Sequence, residues 1–204
     1  MKPFSFSAGA MRVEFGRGAF AAIPKLVEAL GKSRALVLAT PHQKPTADRT
    51  ADLLGAKSVG VFAGAVMHTP VDVTKAAAVH AASVKADCLV SIGGGSTTGL
   101  GKAIAYRTGL THIVVPTTYA GSEVTPILGQ TENGLKTTLK DTAVLPTAVL
   151  YDPELTDGLP LKMSVVSGLN AIAHAAEALY AENRNPITSM MAVEGLTAMK
   201  AGLA

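Results

Sequence analysis

Cys88-Leu-Val-Ser-Ile-Gly-Gly-Gly-Ser-Thr-Thr-Gly-Leu-Gly-Lys102 decides the fold, because an apolar run passes through three consecutive glycines straight into a helix-forming stretch. Strand, glycine turn and helix together are half of a βαβ unit. Glycine lets backbone approach a phosphate closely, and the first turn of the following helix offers free N–H groups and the positive end of a dipole. Gly93, Gly94, Gly95 and Ser96 are therefore a candidate pyrophosphate cradle, although a strand-to-helix turn can also be glycine-rich for packing alone.

Working outward, the same alternation continues on both sides. Strands are expected at Arg12–Phe15, 35–39, Ser58–Phe62, 88–92, 112–115 and Ala148–Tyr151, with helices at 19–30, 46–54, 71–85 and 98–106. Several of these strands are apolar at every position, as in a parallel sheet covered by helices on both faces. Such a sheet receives ligands at the carboxyl ends of its strands. Asn133-Gly134, between Thr-rich segments, marks a hairpin within 127–140. From Leu161 the pattern becomes helical, over 163–181 and again from Pro186. The expected architecture is α/β: a Rossmann-like parallel-sheet domain over 1–157, followed over 158–204 by the beginning of an all-α domain, apparently truncated, with its helices left in need of others.

Composition narrows the classes. With 48% hydrophobic and 16% charged residues among 204, the chain can bury a large core. No apolar run approaches the roughly 20 residues of a membrane span, and the N-terminus does not read as a secretory signal, so a cytoplasmic location is expected. The net charge of +3 suits an anionic cofactor or a dicarboxylate substrate. Its cations are scattered and aromatics make up only 4%, which argues against nucleic acid. The single cysteine, Cys88, reads as a small core residue.

After the strand 35–39 comes Thr40-Pro-His-Gln-Lys44, without spaced glycines and without a carboxylate for an adenosine ribose. Either nicotinamide cofactor, NADH or NADPH, is thus admissible, and Lys44 could favour a 2′-phosphate. A second segment, Val115-Pro-Thr-Thr-Tyr-Ala-Gly-Ser-Glu-Val-Thr125, again follows a strand at the binding edge. Thr117, Thr118 and Ser122 can exchange hydrogen bonds with ribose and carboxamide groups.

Gly-Gly-Gly-Ser at 93–96, Pro-Thr-Thr at 116–118, Gly-Ser-Glu-Val-Thr at 121–125, Leu145-Pro and Tyr151-Asp-Pro-Glu-Leu155 together resemble the iron-containing alcohol dehydrogenase family, from about Met11 to the last residue. The resemblance implies a dehydroquinate synthase-like architecture, a nucleotide-binding domain with a helical substrate domain. It also implies that Lys136 contacts the cofactor ribose. Thr117-Thr-Tyr-Ala-Gly-Ser122 and Gly95-Ser-Thr-Thr-Gly-Leu-Gly-Lys102 are similar to the branch that reduces maleylacetate to 3-oxoadipate in the breakdown of aromatic compounds. Metal-dependent members carry Asp and His four residues apart on a helix, where this chain has Asn170 and His174. An amide oxygen is a weaker ligand than a carboxylate and offsets no charge, so no metal is expected. An enone can take hydride without a Lewis acid if hydrogen-bond donors stabilise the enolate. His174 and Tyr119 are the expected catalytic donors, with Lys102 a further candidate for a substrate carboxylate, and a homodimer is admissible. Other readings stay open: a metal-dependent alcohol dehydrogenase in which Asn170 still coordinates, a nucleotide-binding module without catalysis, and a lyase resembling dehydroquinate synthase.

Overall fold

The computed structural model describes residues 3–6 and 11–203. The chain divides into two compact units, one within Ala10–Gly158 and the other formed by the described residues of Met1–Gly9 and Leu159–Ala204.

In the larger unit six strands form a parallel sheet: β1 (Arg12–Phe15), β2 (Ala35–Leu38), β3 (Ser58–Phe62), β4 (Cys88–Gly93), β5 (Thr111–Pro116) and β8 (Ala148–Tyr151). Their spatial order is β1-β8-β5-β4-β2-β3. The remaining strands, β6 (Ile127–Glu132) and β7 (Leu135–Lys140), make a separate antiparallel hairpin. Asn133 and Gly134 both take positive φ, 50° and 76°, which the tight turn between these strands requires. Four helices cross over the sheet: α1 (Ile23–Ala29), α2 (Lys44–Leu54), α3 (Val71–Ser83) and α4 (Gly95–Thr108).

The two-residue period of a strand explains the two cores. Ala35 and Val37 of β2, with Cys88, Val90 and Ile92 of β4, pack with Ile23, Leu26 and Val27 of α1 and Ala47 and Leu54 of α2. Leu36 and Leu38, pointing the other way, pack with Leu89, with Ala77 and Ala81 of α3 and with Leu100 and Ile104 of α4. Each fully buried Leu or Ile contributes about 1.5–3 kcal/mol, and both faces of the sheet carry them. Ala103, Leu128 and Val144 form a third, small cluster that seats the hairpin on α4. Cys88 belongs to the core, and burial beside Asp87 pushes its thiol up to about 12, which makes it inert.

Chain order and spatial order together create the binding edge. From β2 the chain winds outward through α2 to β3, whereas from β4 it winds the opposite way through α4 to β5. A crevice therefore opens beyond the carboxyl ends of β2 and β4, where the winding reverses.

The second unit contains α5 (Leu161–Tyr180) and α6 (Pro186–Gly202). Gly168 lets them approach closely, since a Cβ there would stand 2.9 Å from Met199 Cε. Asn185 starts α6 through a capping box: its Oδ1 accepts from the Ile187 and Thr188 amides at 3.0 and 3.1 Å, and its own amide donates to Thr188 Oγ1. Leu161, Val166, Leu169, Met190 and Met191 remain exposed. Among the described residues no helix is long and apolar enough to cross a membrane.

Candidate functional site

Strand β4 runs one residue beyond the sequence expectation, to Gly93, and α4 starts at Gly95 rather than 98. The glycine turn is thus shorter than its three residues suggest, with Gly95 and Ser96 already in the first helical turn. Gly94 is the N-cap, and no side chain caps the helix, so the first N–H groups stay available. Gly93 has φ +151°, and a Cβ on it would collide with Gln43 Oε1 and with Thr97 Oγ1. A Cβ on Gly94 would meet Thr118 Oγ1 at 2.9 Å. Both glycines are required by neighbouring side chains, whereas at Gly95 the nearest atom is Ala120 Cβ, at an ordinary 3.7 Å. Thr97 Oγ1, in the same turn, is buried without a hydrogen-bond partner.

Gln43 was not foreseen as part of the site. It lies in the loop after β2, donates from Nε2 to Thr117 Oγ1 at 2.7 Å, and so bridges the crevice beside Gly93. The Thr117 hydroxyl thus accepts from Gln43, and the Thr117 amide donates to the Gly93 carbonyl at 3.0 Å. Thr117 is 8% exposed and acts as a strut. Lys44 pairs with Asp48 four residues on, at 2.7 Å, an exposed helical pair.

Two clefts flank the turn. One, of about 280 Å³, is lined by His68, Thr69, Gly95, Ser96, Ser122 and Lys136, among others. It sets two basic side chains against the uncapped start of α4. His68 and Thr69 hold positive φ, 65° and 45°, uncommon for His and a genuine outlier for β-branched Thr. The Thr69 hydroxyl fills the space that Gly99 leaves open, and its carbonyl accepts from the Thr131 amide at 3.4 Å, so helix and hairpin together hold the strained pair. The other cleft, about 440 Å³, is lined by Phe15, Thr118, Tyr119, Glu123, Tyr151 and Pro153, among others. There the Tyr151 hydroxyl donates to Glu123 Oε1 at 2.9 Å, and burial with that carboxylate raises the phenol above its ordinary range. The turn 121–123 is the wall between the clefts, with Ser122 facing one and Glu123 the other.

Lys102 departs from the expectation. Neither solvated nor free for a substrate carboxylate, it is fully buried, and its ammonium donates to three backbone carbonyls. Desolvation lowers it to about 8, opposed by the nearby Glu123 charge. Beneath α4, His112 is 1% exposed and its Nε2 lies 2.8 Å from Ser91 Oγ. Gly101 leaves room for both, and burial together with Lys102 lowers His112 to about 3.

On α5, His174 is exposed, its Nδ1 3.6 Å from Glu177 Oε2. Asn170 lies one turn earlier on the same helix. Neither is a carboxylate, and no group of three or more His, Cys, Asp or Glu able to hold a metal occurs among the described residues.

Fold and site define a class: a doubly wound α/β domain with an uncapped, glycine-lined turn at its switch point, followed along the chain by a helical unit. The sequence pattern of the iron-containing alcohol dehydrogenases matches residues 10–153, and the chain belongs to that family. The maleylacetate reductase of Rhizobium sp. (strain MTP-10005) is 61% identical over 199 residues, covering 98% of this chain and 57% of that protein. The maleylacetate reductase of Burkholderia cepacia is 55% identical over 203 residues, covering 100% and 58%. A crystal structure of maleylacetate reductase from Agrobacterium tumefaciens matches with a TM-score of 0.98 at 60% identity, over 100% of this chain and 58% of that one. The chain spans between half and two thirds of the length of these relatives.

Proposed function

We propose that the protein to which this chain belongs is an oxidoreductase that reduces maleylacetate to 3-oxoadipate with NADH or NADPH, and that the larger unit holds the nucleotide. The observation that carries this reading is the uncapped start of α4 opening onto a cleft with Lys136 opposite, in a chain 61% identical to a maleylacetate reductase. Gly94, Gly95 and Ser96 receive the pyrophosphate through backbone N–H groups, and Thr118 stands over Gly94. The aromatic and proline walls of the 440 Å³ cleft, Tyr119 included, suit a stacked adenine, while Ser122 and Lys136 suit the second ribose. Nothing at the end of β2 repels a 2′-phosphate, which supports use of both cofactors.

Bound nicotinamide supplies a hydride for the alkene carbon β to the substrate ketone. The protein then has to stabilise charge on the enolate oxygen and deliver one proton to the adjacent carbon. His174, exposed on α5 with Nδ1 3.6 Å from Glu177 Oε2, is the proposed donor. The two substrate carboxylates call for cations, and Lys102, buried with its ammonium on backbone carbonyls, is not free to be one. The same reading includes a homodimer working in the cytoplasm.

The test has two arms. Fluorescence titration with NADH and NADPH on the 204-residue chain should show saturable binding. Joined to the part of the Rhizobium relative that it does not span, the chain should oxidise nicotinamide one-for-one with 3-oxoadipate formed, and keep doing so after exhaustive chelation. Binding of neither nucleotide would refute the reading.

A further inference from the structure

Among the described residues Lys102 is the largest fully buried side chain, and it has no ion pair there. Burying an ammonium is costly unless every donor finds an acceptor. Here Nζ donates to Ser122 O at 2.5 Å, Thr125 O at 2.7 Å and Ile127 O at 3.0 Å, with Thr125 Oγ1 at 3.2 Å. These acceptors are spread along one segment, from the 3-10 turn Ser122–Val124 through Pro126 into the first residue of β6. Buried carbonyls of an irregular loop need partners, and one ammonium satisfies three.

The position of this clamp gives it a further consequence. Lys102 lies seven residues beyond Gly95 on α4, about two turns below the phosphate-facing start of the helix. Its acceptors flank the wall that divides the two clefts and begin the hairpin that carries Lys136. Turn, wall and hairpin are thereby referred to one rigid helix. We propose that Lys102 is a positioning residue for nucleotide binding: by tying segment 122–127 to α4 it keeps Ser122 and Lys136 in register with the Gly93–Ser96 turn. This rests on the clefts being the nucleotide site.

The experiment compares NADH affinity in the wild-type chain, in Lys102→Met and in Lys102→Gln, with hydrogen exchange read in the same samples. Lys102→Met is expected to bind about tenfold more weakly through lost preorganisation. Exchange should quicken in 121–127 while β4 and β5 keep their protection. A Lys102→Cys chain in a Cys88→Ala background, alkylated in denaturant with bromoethylamine and refolded, regains an ammonium at nearly the same reach and should recover to within about threefold of wild type. A purely space-filling lysine would instead leave Lys102→Met, which fills a similar volume without an ammonium, at wild-type affinity. If the Met variant does not fold, the Gln variant, with two N–H donors on a neutral amide, carries the comparison. Wild-type affinity in either folded variant overturns the proposal, as does failure of the refolded, alkylated chain to regain binding. If the wild-type chain itself binds no NADH, the nucleotide reading fails instead.

Discussion

Acid should unfold the larger unit through one residue, His112. Its Nε2 lies 2.8 Å from Ser91 Oγ, and Ser91 Oγ is 3.3 Å from the Thr97 carbonyl. Ser91 donates to that carbonyl, so it accepts from His112, which places the proton on Nε2 and leaves the Nδ1 lone pair unpartnered. The ring is therefore buried neutral. The unfolded chain takes up a proton near 6.5, whereas the folded chain resists until about 3. Above 6.5 neither state is protonated and stability is complete; below it the unfolded state alone binds the proton, and stability falls at about 1.4 kcal/mol per pH unit. Between pH 6.5 and 4.5 the loss is about 3 kcal/mol, a large share of the 5–15 kcal/mol typical of a domain. Urea unfolding followed by circular dichroism at pH 7, 5.5 and 4.5 measures it. His112→Gln keeps an amide nitrogen near the position of Nε2 but does not titrate. Its stability at pH 7 should be lower by about 1–2 kcal/mol, yet it should lose about 3 kcal/mol less than wild type on acidification. Parallel pH profiles for the two proteins would refute the assignment.

Three further outcomes are expected. Gly101→Ala would drive a Cβ into His112 Nε2 and Ser91 Oγ, and should destabilise by about 1–3 kcal/mol in the same urea assay at pH 7. In alkali the sign is the same: between about 8, where folded Lys102 releases its proton, and the ordinary lysine value of 10.5, the unfolded chain binds the extra proton and stability again rises with pH. Lys102→Met should abolish that rise, measured as the difference between the two urea midpoints at pH 7.5 and 9.5. Gln43→Leu removes the donor to Thr117 and should weaken NADH binding by about tenfold while leaving the thermal midpoint within a few degrees.

Much of this was legible in the sequence, for reasons that differ from element to element. The strand-glycine-helix run at 88–102 could be read because apolar periodicity and backbone freedom are local properties. The Asn133-Gly134 hairpin was legible for the same reason, both residues accepting positive φ. Gln43 was not, because its importance lies in reaching Thr117, 74 residues away. Lys102 misled the reading: a lysine on a helix beside a glycine-rich turn suggests an anion ligand, and only the packing of loop 122–127 turns it inward. The strained His68–Thr69 pair likewise has no sequence signal, since its φ values are imposed by α4 and the hairpin.

The pairing of β1 with β8 has a consequence for synthesis. Arg12 lies in register with Ala148, so β1, made before every other strand of this sheet, finds its partner only when the last of them has been made. At 5–20 residues per second, Phe15 waits about 7–27 s for Tyr151. Throughout that interval Val13 and Phe15, exposed even in the finished fold at 53% and 76%, have no partner strand. A nascent chain stalled before residue 148 would present a short unpaired strand, its apolar Val13 and Phe15 alternating with Arg12 and Glu14, the kind of segment with free backbone groups that holdase chaperones shield.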